Sequence, residues 1–86
     1  MNFDAAIVTE QGVTFVVVIV KEEILEHDFT INEARQLFSG FFPMMPVVLM
    51  AQNRRQEPIY NGREDLVKFL QKVDYMRLPF QQYTVK

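Results

Sequence analysis

Pro46-Val-Val-Leu-Met-Ala-Gln52, Asn53-Arg-Arg-Gln56, Glu57-Pro-Ile-Tyr60 and Asn61-Gly-Arg-Glu-Asp-Leu-Val-Lys-Phe-Leu-Gln-Lys-Val73 follow one another without a break. The first piece is an unbroken apolar run of strand length, the signature of a strand covered on both faces. The second is polar and turn-forming. The third is short, and Pro58 removes a ladder donor from it, so this strand belongs at a sheet edge. The fourth reads as a helix: Asn61 is placed to cap it with Glu64 as reciprocal partner, and Leu66, Val67, Leu70 and Val73 line one side. Glu64 and Asp65 in the first turn and Lys72 in the last suit the helix dipole.

Outward from this run, the rest of the chain falls into similar units. Ala5–Thr9 and Val13–Lys21 are strand candidates joined by Glu10-Gln11-Gly12, a hairpin turn in which Gly12 can take a positive φ. Val13–Lys21 is apolar on both faces, as a central strand would be. Glu22–Phe29 fits either a single helical turn or an irregular connector. Thr30 and Glu33 match a capping box, and Ile31, Ala34, Leu37, Phe38 and Phe41 recur at helical spacing. Gly40 is expected to end that helix in the left-handed conformation. Phe41-Phe42-Pro43-Met44-Met45-Pro46 is then a stiff apolar connector, because prolines exclude helix and extend the residue before them. Phe80–Val85 reads as a final strand.

The expected order is β-β-α-β-β-α-β in one small α/β domain, an α+β mixed sheet spanning residues 1–86. A helix between Val13–Lys21 and Val47–Gln52 acts as a crossover, so those strands should be parallel neighbours with a right-handed connection. Both helices are expected on one face.

Composition narrows the chemistry. The chain has no cysteine, which removes disulfides, thiolate metal sites and thiol nucleophiles. The apolar run Val13–Val20 is far below the ~20 residues needed to span a bilayer. Met1-Asn2-Phe3-Asp4 has no basic segment leading into an apolar one, so no signal peptide is expected, and with no disulfides the expected location is cytoplasmic. The net charge is −2, but residues 1–45 carry two basic against seven acidic side chains and residues 46–86 seven against four. A charge split of this kind suits self-association.

The run from residue 45 to residue 73 resembles the C-terminal half of thioredoxin-like and glutaredoxin-like domains: a proline before a Val-rich strand, a turn, a short strand ending in Tyr60-Asn61-Gly62-Arg63, then a helix with Asp65-Leu66-Val67-Lys68-Phe69-Leu70. The resemblance implies a thioredoxin-like half-fold and a cis Pro46 facing a docking partner. It implies no redox activity, because the family's Cys-x-x-Cys is missing. Pro46–Gln52 and Tyr60–Asp65 are also similar to stretches of small bacterial proteins of unknown function, a likeness that brings no activity with it.

His27 is the only histidine. On a helix it would share a face with Glu23, but one imidazole with carboxylates is a poor metal site, and a solvated acidic loop accounts for it as well. A Ser-His-Asp arrangement could use only Ser39, His27 and an Asp, and Ser39 beside Gly40 reads as helix-end chemistry. No catalytic set, metal site or cofactor is expected. Arg54, Arg55 and Arg63 near Tyr60 form a candidate anion or nucleic-acid site, with Tyr60 able to stack a base. Interleaved Glu57, Glu64 and Asp65 weigh against it. Phe41, Phe42, Met44, Met45 and Pro46 form the densest apolar cluster of a chain with eight Phe and five Met. Aromatic and Met side chains make adaptable protein contacts, so this cluster is the leading candidate for partner binding, by a second copy of the chain or by another protein.

Overall fold

Gln11 and Gly12 both take positive φ, 52° and 80°. That pair makes the tight turn whose twist matches two antiparallel strands. It joins β1 (Asn2–Glu10) to β2 (Val13–Ile19). A 3₁₀ segment, Glu22–Glu26, leads into α1 (Asp28–Phe41). Then come β3 (Val47–Gln52), β4 (Pro58–Asn61), α2 (Glu64–Gln71), a short 3₁₀ turn at Tyr75–Arg77, and β5 (Phe80–Thr84). The computed structural model describes all residues 1–86. The expected order β-β-α-β-β-α-β is the observed one.

The five strands form one mixed sheet in the order β4-β3-β2-β1-β5. β2 and β3 are the parallel pair, with Val16 opposite Val47 and Ile19 opposite Met50, and all other neighbours are antiparallel. β4 is an edge strand, as Pro58 required, and β5 is the other edge.

The helices lie on opposite faces, which corrects the one-face expectation. Phe3, Ala5, Val16, Val18, Val47 and Leu49 meet Phe38 and Phe42 from α1 and its end. Phe15, Val17, Val48 and Met50 meet Leu66 and Leu70 of α2. Central strands covered on both sides explain why Phe15–Ile19 of β2 and Val47–Ala51 of β3 are apolar without a break. Val16, Val17 and Val18 are wholly buried, each stabilising by roughly 1.5–3 kcal/mol. The passage to the second face runs through Gly62. A Cβ there would sit 3.0 Å from Val48 Cγ2 and 3.1 Å from Val48 Cα, so glycine lets the chain pass this close under β3 without pushing Val48 aside.

Neither expected capping box forms. α1 begins two residues before Thr30, and the Thr30 hydroxyl donates to Ile24 O (2.7 Å) and His27 O (2.9 Å). That ties the 3₁₀ segment to the helix. α2 begins after Arg63, with no side-chain cap, and Asn61 closes β4 instead. Gly40 does not end α1 in the left-handed region, and the helix continues to Phe41.

Candidate functional site

The partner-binding cluster divides in two. Phe42 is buried, and Met45 packs against the same core. Pro46 is half-buried, and its carbonyl accepts the Val16 N–H at 3.0 Å, opening the parallel ladder. The Met45–Pro46 peptide is trans, not the cis bond implied by the thioredoxin-like resemblance. Those three residues hold the fold. Phe41 and Met44 remain at the surface.

Met44 is fully exposed and has φ +68°. The Met45 N–H bonds Phe42 O at 3.3 Å, closing a turn with Pro43 in second place and Met44 in third. This is the type II pattern, whose third place favours Gly because a side chain there is strained. The chain thus holds a large apolar side chain in water at a position where glycine would fit better.

Beside this turn is an aromatic array built on Phe3 of β1. The Phe41 ring stacks on Phe3 (centroids 5.8 Å, planes 19° apart), and Tyr83 of β5 stacks on it as well (5.4 Å, 11°). Phe38 and Phe42 meet Phe3 edge-on, and Phe42 meets Tyr83 edge-on at 5.4 Å. Phe41 and Tyr83 therefore mark an apolar border from the end of α1 to the β5 edge, and the Met44 turn opens from Phe42, which meets both Phe3 and Tyr83. Along the flank of α1 an open groove of about 790 Å³ is lined by Met1, Phe3, Ile24 and Leu37, with Lys21 and Glu33 among its polar residues.

The anion candidates do not assemble as one site. Arg54 and Arg55 are in the β3–β4 turn, and Arg63 follows the far end of β4. Four strand residues at about 3.3 Å each separate them. Arg63 is also engaged: its Nε and guanidinium nitrogen grip both Asp65 oxygens at 2.8 Å. That bond holds the Asp65 carboxyl down at about 2, and Arg63 is raised in return. The Tyr60 ring packs against the α2-side core and is not free to stack on a base. Its hydroxyl is buried without a protein partner, and burial, with Tyr75 adding, pushes the phenol above its ordinary value. Arg54 and Arg55 have no ion-pair partner and line a shallow polar hollow with Glu22, Asn53 and Glu57. Asn53 shapes that turn by accepting the Arg55 and Glu57 N–H groups at 2.8 and 3.0 Å.

His27 is in extended backbone between the 3₁₀ segment and α1, so it does not share a helix face with Glu23. No three His, Asp or Glu side chains gather as metal ligands. No helix is long and apolar enough to cross a membrane.

Arg35 escaped the sequence reading. It reaches from α1 to Val47 O (3.3 Å), Asn61 O (3.2 Å) and Asn61 Oδ1. With no carboxylate beside it, burial pulls the guanidinium below its ordinary value. The available signal was its place between Ile31 and Phe38, on the inward stripe of the helix. The chain matches no family model, no curated protein and no solved structure.

Proposed function

We propose that the chain is a non-catalytic protein-contact domain that acts as a homodimer. Met44 carries this reading: a fully exposed Met held in a left-handed turn position that favours glycine. A strained, solvated apolar side chain is a net cost to the free domain, and contact with a partner offsets it. Phe41 and Tyr83 extend the same border, and aromatic and Met side chains are the ones that interfaces enrich. The test is light scattering over a dilution series, comparing the wild-type chain with a Phe41→Ser/Met44→Ser variant. The reading expects a wild-type dimer and a dissociation constant at least about tenfold weaker in the variant, a loss of 1.4 kcal/mol or more. Equal dissociation constants would remove the apolar border from the interface.

One observation favours a second reading. Arg54 and Arg55 are both free of ion pairs. Anion or nucleic-acid binding there predicts salt-sensitive affinity for an oligonucleotide, lost on Arg54→Gln/Arg55→Gln. Absence of binding at low salt removes it.

A further inference from the structure

The two edges of the sheet are guarded differently. β4 is four residues long and opens with Pro58, both of which discourage pairing with another strand. β5, Phe80-Gln81-Gln82-Tyr83-Thr84, has no charge and no proline. Natural edges left so plain are open to pairing.

The β1–β5 ladder fixes which backbone groups are free. Val85 N–H bonds Met1 O at 2.8 Å, and the Met1 amine bonds Val85 O at 3.0 Å. In an antiparallel ladder such pairs alternate, so Tyr83 and Gln81 also face β1, opposite Phe3 and Ala5. The N–H and C=O groups of Gln82 and Thr84 therefore point away from the sheet. The Phe80 N–H is already used, bonded back to Leu78 O at 2.8 Å.

We propose that two copies of the chain pair along β5, antiparallel, about a two-fold axis through Tyr83 and perpendicular to the sheet. This deepens the homodimer reading and rests on it. Residues opposed across such an axis must share a sheet face, which confines the possible registers to every second one. Centring on Tyr83 sets Gln82 against Thr84 of the partner subunit, and Thr84 against Gln82 of the partner subunit. The free groups of both residues are then satisfied, and the Phe80 turn is untouched. No like charges meet. Tyr83 faces Tyr83 of the partner subunit as a narrow pair, with Cβ atoms about 4.5–5.5 Å apart. The stack Phe41–Phe3–Tyr83 then continues through its two-fold copy. Both α1 helices and both Met44 turns lie on the same side of the joined sheet.

Gln82→Pro tests the seam, because it removes an outward N–H and no bond to β1. Gln82→Lys is the second variant, placing a charge on the edge without altering the backbone. Solution mass and amide exchange are the readouts. Both variants should run at 10.2 kDa, with unchanged far-UV circular dichroism, where the wild type runs at twice that mass. The Gln82 and Thr84 amides of the wild type should exchange roughly 100-fold more slowly in the concentrated dimer than on dilution. If Gln82→Pro fails to fold, the Lys variant and the exchange data decide. Dimeric variants, or a wild-type dimer with these amides unprotected, overturn the β5 seam and leave the homodimer standing. A wild type that is monomeric at every concentration overturns both.

Discussion

Replacing Met44 by glycine should make the free domain more stable and its dimer weaker. The side chain is fully exposed, so deleting it forfeits no burial within the chain. Its φ of +68° costs an L-residue about 1–2 kcal/mol. Glycine escapes that cost but adds about 0.5–1 kcal/mol of chain entropy to the unfolded state. The difference is a gain of up to about 1.5 kcal/mol, centred on about 0.8 kcal/mol, or roughly 3–6 °C in melting temperature for a domain of this size. Met44→Ala removes the same contacts but keeps the strain, so it should melt close to wild type. Thermal unfolding by circular dichroism, at concentrations below dimerisation, reads both variants. Association should move the other way. A symmetric dimer uses Met44 twice, so about 1 kcal/mol lost at each copy weakens it roughly 30-fold. A glycine variant clearly less stable than wild type at low concentration would show that Met44 supports the free fold, and the argument from strain would fail.

Three other perturbations address the frame that holds this border. Gly62→Ala forces a Cβ to within 3.1 Å of the Val48 backbone, and urea unfolding should show a loss of about 1–3 kcal/mol. Arg35→Met keeps the stem but loses the bonds to Val47 and Asn61. We expect denaturant melts to show about 1–2 kcal/mol lost and faster amide exchange at the β4 end. The Asp65 carboxylate is held below its ordinary 3.8, at about 2, by its bond to Arg63. Its contribution is whole above pH 4 and is lost as pH falls through about 2. Carboxyl NMR should therefore find the Asp65 midpoint near 2, rising towards 3.8 in Arg63→Gln and also with added salt, since the pair is solvent-exposed. A midpoint already at the ordinary value in wild type would contradict the pairing.

What the chain disclosed of itself followed local pattern. β3 matches its expected bounds because an unbroken apolar run between turn residues has few other readings, and Pro58 marked an edge strand for the same local reason. The caps failed where side chains found other partners: Thr30 turns back to the 3₁₀ segment, and Asn61 receives Arg35 from α1. Neither bond has a trace in the neighbouring residues. The faces taken by the helices were also hidden, because a helix's own periodicity says which side is apolar and not which side of the sheet it covers. That is set by the path through Gly62. Phe41 and Phe42 are adjacent and chemically alike, yet only Phe42 is buried: α1 ends at Phe41, and Phe42 leaves the helix with φ −127° and ψ 69°. Arg63 and Arg55 are near in sequence, and β4 carries them to opposite ends of itself. The free β5 edge was legible as a strand, but its outward Gln82 and Thr84 groups emerge only from the register against β1.

Sedimentation velocity of the unmodified chain, from nanomolar to high micromolar concentration, puts the homodimer itself on trial. A species of twice 10.2 kDa that dissociates on dilution is the expected result. A single 10.2 kDa species throughout would leave Met44, Phe41 and the β5 edge without the partner proposed for them.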